Sequence, residues 1–190
     1  ESVLCKGLVE RIGIEGSKLT HKVGSEKLVV EEAMKDHTAA IKHVFDALVD
    51  EKYGVVKSLD EVNAIGHRVL HGGDKLTASC IIDENVKAKV KEFIKFGPLH
   101  NPANLMGIEA CESLVPGKKN IAVFDTAFHQ TMPARTFMYA IPYEYYEDYR
   151  LRKFGFHGTS HRYVTLRTAE LLQTDKKNLN IITVHLGNGS

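Results

Sequence analysis

This chain lacks the features that would mark a membrane span, a disulfide scaffold or a nucleic-acid binder. No apolar stretch approaches the ~20 residues needed to cross a bilayer. Lys and Arg number 25 against 24 Asp and Glu, a net charge of +1, and the two signs are interspersed. That balance predicts neither nucleic acid nor an anionic membrane as a partner. The three cysteines, Cys5, Cys80 and Cys111, are far apart and odd in number, which predicts reduced thiols in a cytoplasmic protein. No signal peptide is expected from the residues given, and they show no internal repeat or low-complexity segment. Glu1 is no natural start and the last residues fall inside a loop, so both ends read as cut. What is present is 190 residues, 43% of them hydrophobic, enough for one large domain or two small ones with a buried core.

Hydrophobic patterning predicts an α/β organisation. Ser2–Ile14 mixes apolar and polar residues without helical spacing and reads as a strand. Lys18–Val30 reads as a strand pair broken at Gly24-Ser25. From Glu31 the period changes: Ile41, Val44, Phe45 and Leu48 fall at i, i+3, i+4, i+7, the stripe of a helix on a sheet. Val62–Leu70 is a further strand, and Val86, Val90, Phe93 and Ile94 mark a second helix. Asn101-Pro102 suits an N-cap followed by proline at the first helical position, with Leu105, Ile108 and Leu114 turned inward. Pro116-Gly117 closes that helix, and Ile121–Phe124 is a short buried strand. Thr159-Ser160 caps a helix carrying Tyr163, Val164, Leu171 and Leu172, and a final strand spans Leu179–Leu186. Strands alternating with helices indicate an α/β fold. A domain boundary is expected within Asp125–Pro133, dividing 1–127 from 128–190.

Five short segments carry polar chemistry that a fold alone would not need. Arg68 sits in an apolar strand that ends in Gly72-Gly73, where a buried guanidinium needs a partner and suits a carboxylate or phosphate. A structural ion pair with a nearby Asp or Glu accounts for it equally simply. His67 and His71, four apart, invite a metal, but no third ligand of zinc-site spacing accompanies them. His100 precedes a helix start, where an anion is favoured; a loop or capping role is the plain alternative. Asp125 ends a buried strand, the place where α/β proteins put ligand contacts, or else caps the following turn. His157 lies between Phe156 and Gly158, open to a substrate, whereas His161 reads as surface or capping. Gly187-Asn188-Gly189-Ser190 suits a phosphate loop, although most turns of this composition are only turns. Donors at Arg68, His100 and His157, one carboxylate and a phosphate loop together suit phosphoryl transfer.

As strings, these segments resemble the acetate kinase family: His67-Arg68-Val69-Leu70-His71-Gly72-Gly73, Pro98-Leu99-His100-Asn101-Pro102-Ala103-Asn104, Ala122–Pro133, Gly155-Phe156-His157-Gly158-Thr159-Ser160-His161 and His185-Leu186-Gly187-Asn188-Gly189-Ser190, in the family's order and spacing. The resemblance implies the fold of the acetate and sugar kinase, heat-shock ATPase and actin superfamily (ribonuclease H-like), here incomplete. Residues 1–127 would form the acyl-substrate side and 128–190 the start of the nucleotide-binding domain. It implies reversible, magnesium-dependent phosphoryl transfer between ATP and acetate, giving ADP and acetyl phosphate, in a cytoplasmic homodimer.

By position, Asp125, His157 and His100 would be catalytic, Asp125 as a proton donor or acceptor. Arg68 would bind the acetate carboxylate or the phosphoryl group in flight. Leu70, Leu99 and Phe156 would enclose the acetate methyl, and His185, Leu186, Gly187, Asn188 and Gly189 would line the nucleotide phosphates. No metal ligand falls within the chain: the family's magnesium-binding glutamate, its second catalytic arginine and its Asn-Ser-Gly-Ser loop have no counterpart here. Leu70 stands where valine is expected, which leaves a propionate or other short-chain acyl kinase as an alternative. A non-catalytic binding fragment is a second one. The chain alone is expected to be inactive.

Overall fold

The structure, a computed structural model, describes residues 2–187. In chain order its regular elements are strands β1 (Lys6–Glu10), β2 (Lys18–Val23) and β3 (Glu26–Val30), helix α1 (His37–Leu48), strands β4 (Ala64–Val69) and β5 (Cys80–Ile81), helices α2 (Glu84–Glu92) and α3 (Asn101–Leu114), strand β6 (Lys119–Phe124), and helices α4 (Ala134–Phe137), α5 (Glu144–Tyr149) and α6 (Gly158–Leu171). The chain divides into two compact units, Glu1–His67 with Ala103–Ile121 and Arg68–Pro102 with Ala122–Ser190.

In the first unit, β1, β2 and β3 form an antiparallel meander. Its second hairpin turns through Gly24-Ser25, with Gly24 at φ 56°, a first-position glycine that lets a two-residue loop follow the strand twist. Alternation along β2 turns Leu19 and His21 inward. Leu19, Met34, Ala40 and Ala47 form the buried core here, with Val9, Leu28, Val30 and Val44 packed against it. Helix α1 starts where Asp36 accepts from the Ala39 N–H at 2.8 Å, an N-cap of the favoured kind. Its buried positions are Ala40 and Ala47, while the larger residues of the expected stripe are only half-buried. His21 donates from Nε2 to the Tyr53 carbonyl at 2.9 Å, which satisfies a polar group in this core.

The second unit holds the chemistry-bearing segments. Helix α2 is capped by Asp83, which accepts from Val86 N–H at 2.8 Å, and it runs into a 3₁₀ turn, Phe93–Phe96. Val86, Val90 and Phe93 are buried, as their spacing predicts. His71, 1% exposed, sits in an aromatic nest: Phe93 and Phe96 stack on it at 5.8 and 5.4 Å, and Phe154 and Phe156 meet it edge-on at 4.6 and 5.8 Å. The Gly73 N–H donates to His71 Nδ1 at 3.0 Å. Gly73 is at φ 61°, and a Cβ there would fall 2.0 Å from the Phe93 ring, so no other residue fits.

Three expectations are corrected. Residues 179–187 form no strand; Ile182, Val184 and Leu186 are 94, 69 and 83% exposed, and a β-branched run becomes a strand only where a neighbour supplies the ladder. Asn101 is not an N-cap but lies within α3, its amide spent on the backbone of His71 and Val90. Helix α6 begins at Gly158, one residue before Thr159, with His157 as its N-cap. Its Tyr163, Val164 and Leu171 are exposed.

Burial lowers the His71 pKa from 6.5 to about 4. The unfolded chain therefore takes up a proton below about pH 6.5 that the folded state refuses until about pH 4, so stability falls as pH drops through that window. We expect the unfolding free energy to decrease by about 2 kcal/mol between pH ~7 and pH ~5. Urea titration of wild type and His71→Asn checks this: asparagine retains an acceptor for Gly73 but no proton, and should flatten that limb. Equal pH dependence in the two proteins would assign the effect elsewhere.

Candidate active site

The site is assembled at the ends of two strands. Just beyond β6, the Asp125 N–H donates to the Val69 carbonyl at the end of β4, at 3.0 Å. Thr126 Oγ1, buried, accepts from the Gly72 N–H at 3.2 Å. These bonds set Asp125 beside Arg68. The guanidinium grips the carboxylate at two points, Nη2 to Oδ2 at 2.5 Å and Nε to Oδ1 at 3.2 Å, the fork geometry that makes such pairs strong and directional. The partners differ in exposure: the Arg68 side chain is 57% exposed and that of Asp125 1%. Arg68 is thus not the buried cation its flanking residues predict; the carboxylate is the buried partner, gripped by an accessible arginine.

Two cavities open beside Arg68. One, of about 420 Å³, is bounded by Arg68, Leu70, Phe96, Gly97, Pro98, Leu99, His100, Phe156 and His157. Its walls are mainly apolar, with cationic and imidazole groups at Arg68, His100 and His157. The other, of about 570 Å³, is bounded by Arg68, Asp125, His157, Thr159, Ser160, Tyr163 and His185. Arg68 and His157 border both. His100 ends the turn that follows Gly97, where its N–H donates to the Gly97 carbonyl at 3.1 Å.

His157 is at φ 54°, ψ 29°, a left-handed conformation uncommon for any residue but glycine. The next residue, Gly158, donates its N–H to the Asp125 carbonyl at 3.0 Å. The His157 ring stacks on His185 with centroids 4.1 Å apart and planes at 17°. His185 Nδ1 meets Ser160 Oγ at 3.0 Å. The structure therefore brings together Arg68, Leu70, Leu99, His100, Asp125, Phe156, His157 and His185. Leu186 is 83% exposed and Gly187 follows in a bend, while Asn188 and Gly189 lie outside the described residues.

Some contributors were not singled out from sequence. Thr126 has its hydroxyl under the Gly-Gly turn, and Ser160 faces His185. His161 is more than a surface residue: its Nδ1 meets Thr183 Oγ1 at 2.7 Å. Partial burial and then the nearby imidazoles of His129, His185 and His157 lower its pKa. The only hint in sequence was the density of hydroxyl and imidazole residues over 157–161. His67 has its own partner, with Nε2 2.8 Å from Asn120 Oδ1. Among the described residues no three His, Cys, Asp or Glu side chains converge on a point. The site's carboxylate is taken up by Arg68, whereas magnesium needs several free oxygens; the described residues do not fit such a site.

The description "Acetokinase family" matches residues 1–190. The chain is 86% identical over its whole length to an acetate kinase of Finegoldia magna, of which it covers 48%. It is 57% identical to one of Thermotoga maritima, of which it covers 47%. Among solved structures, an acetate kinase of Porphyromonas gingivalis superposes with a TM-score of 0.93 at 48% identity, covering 99% of this chain and 47% of that one. A propionate kinase of Francisella tularensis gives 0.84 at 39% identity, covering 92% and 44%. The chain spans about half the length of the curated relatives it matches, and it carries the corresponding part of the α/β acetate kinase fold. With the family match running its full length, the chain belongs to the acetokinase family.

Proposed function

We propose that the protein containing this chain is an acetate kinase, transferring a phosphoryl group reversibly between ATP and acetate to give ADP and acetyl phosphate. The observation that carries this reading is that Arg68 and His157 border both cavities, the smaller shared with Leu70, Leu99 and Phe156 and the larger with Asp125, Thr159, Ser160 and His185. In the forward direction an acetate oxygen attacks the γ-phosphorus in line, the bond to the β-phosphate oxygen breaks, and ADP leaves with that electron pair. Acetate docks with its methyl among Leu70, Leu99 and Phe156. Arg68, His100 and His157 direct donors at the equatorial oxygens of the group in flight, where positioning and charge stabilisation supply most of the rate.

A carboxylate nucleophile is already ionised near neutral pH, so the attack removes no proton. In this reading Asp125 acts by holding Arg68, to which it is bound at two points, rather than by exchanging a proton. Residues 128–190 begin a nucleotide-binding domain after an acyl-side domain of 1–127, with His185, Leu186, Gly187, Asn188 and Gly189 against the phosphates. Magnesium enters with ATP on ligands outside this chain. The complete protein is a cytoplasmic homodimer; no helix among the described residues is long and apolar enough to cross a membrane.

Arg68→Ala in the complete protein should lower kcat by ~10²–10³, and Arg68→Lys should recover little, because an ammonium lacks the two-point fork. Steady-state assays with acetate and ATP check this. A raised KM for acetate with kcat intact would reduce Arg68 to ground-state binding. The isolated 190-residue chain should form no acetyl hydroxamate from acetate, ATP and hydroxylamine under conditions where the complete protein does; measurable product would show that the described half suffices. Comparing kcat/KM on acetate and propionate in the complete protein decides the acyl preference, and a clear preference for propionate would overturn the assignment to acetate.

A further inference from the structure

His129 lies four residues after Asp125, on the 3₁₀ turn Ala127–Thr131. Its Nε2 is 2.9 Å from the Phe156 carbonyl oxygen. A carbonyl only accepts, so His129 Nε2 carries the hydrogen and donates. The same ring covers Gly155: a Cβ on Gly155, which is at φ 75°, would fall 2.5 Å from His129 Cγ. On the other side of His157, the Gly158 N–H donates to the Asp125 carbonyl at 3.0 Å. Both peptide groups flanking His157 are therefore held from the segment Asp125–His129. The residue between them is the left-handed His157.

A left-handed non-glycine residue is held only where its surroundings over-determine it. One neutral hydrogen bond contributes about what such a residue costs, or less; two exceed it. Removing either bond tips the balance against the left-handed conformation. We propose that His129 is a positioning residue for His157, locking the Phe156–His157 peptide so that the imidazole stays stacked on His185 and aimed into the cleft. This rests on the proposed role of His157 in phosphoryl transfer. His129 itself touches neither substrate nor the reacting atoms in this scheme.

The experiment uses the complete protein and four variants: His129→Ala, His129→Gln, His157→Ala and the double variant His129→Ala/His157→Ala. Alanine at 129 should lower kcat by ~10–100-fold, since small misplacements of a catalytic group cost that much. Glutamine, whose amide nitrogen replaces Nε2–H, should restore kcat to within about fivefold of wild type. In the His157→Ala background the His129→Ala change should cost less than about twofold, because two residues acting through one group are not additive. Losses that multiply in the double variant, or a glutamine variant no better than alanine, overturn the proposal. If His129→Ala does not fold, His129→Asn, too short to reach the Phe156 carbonyl, takes its place. A crystal structure of the alanine or asparagine variant separates this proposal from the reaction assigned above. His157 should leave the left-handed region there, and unchanged His157 geometry sinks the clamp even if activity falls. Absence of acetate phosphorylation by the wild type would overturn the proposed function alone, with the His157 backbone still deciding the clamp.

Discussion

The side-chain amide of Asn101 fixes the geometry on which the small cavity depends. It is fully buried, accepts from the His71 N–H at 3.1 Å, and donates to the carbonyls of His71 and Val90 at 3.0 and 3.1 Å. In effect it pairs with His71 as a neighbouring strand would, just where β4 has ended. Each bond contributes only about 1 kcal/mol net, but leaving these buried groups unpaired would cost ~1–3 kcal/mol apiece. The Asn101 N–H and the His100 N–H both return to the Gly97 carbonyl. One residue thus ties the stretch carrying Leu70 to the turn carrying Leu99 and His100. Two walls of the cavity are set by the same latch.

The second constraint is the reuse of backbone around Asp125. Its N–H goes to Val69, its carbonyl receives Gly158, and its carboxylate receives Arg68. The neighbouring Thr126 hydroxyl receives Gly72. A residue bound through all three of its polar groups has little freedom left, so Arg68 is anchored on something rigid. Precision in such a site comes from what supports the first residues as much as from those residues themselves. The aromatic nest around His71 adds shape on the adjoining side, since Phe96 and Phe156 belong both to that nest and to the cavity wall.

Much of this was legible in the sequence where local chemistry decides. The β2–β3 hairpin follows from alternation and a Gly-Ser break; α2 follows from Val86, Val90 and Phe93; β6 and the aspartate at its end follow from a short apolar run. The segments around Arg68, His100, Asp125 and His157 announced themselves as polar groups in places that packing alone would not choose. What was not legible depended on partners distant in the chain. Arg68 looked buried by its flanks, yet which member of an ion pair is buried is set by tertiary placement. Asn101 looked like a cap because Asn-Pro usually is one; its demand came instead from a strand end thirty residues away. Leu179–Leu186 has strand composition, but a strand is a pairing and no composition supplies the second member.

Charge supplies a further limit on what these residues do alone. A phosphoryl group moving from a nucleotide carries negative charge on the equatorial, attacking and leaving oxygens, and catalysis is largely its neutralisation. Arg68 is already compensated by Asp125 at hydrogen-bond distance, so the pair contributes directed donors and little net charge. His100, His157 and His185 are the imidazoles beside it, and two of them are stacked ring on ring. If ATP is the donor, most of the cationic stabilisation of its phosphates must come from groups other than these. In the proposed reading Arg68, His100 and His157 hold a small carboxylic acid and orient donors around the transferring group, and these few groups do not by themselves balance a nucleoside triphosphate. On that proposal, the acyl side is the part of the reaction to which these side chains contribute most.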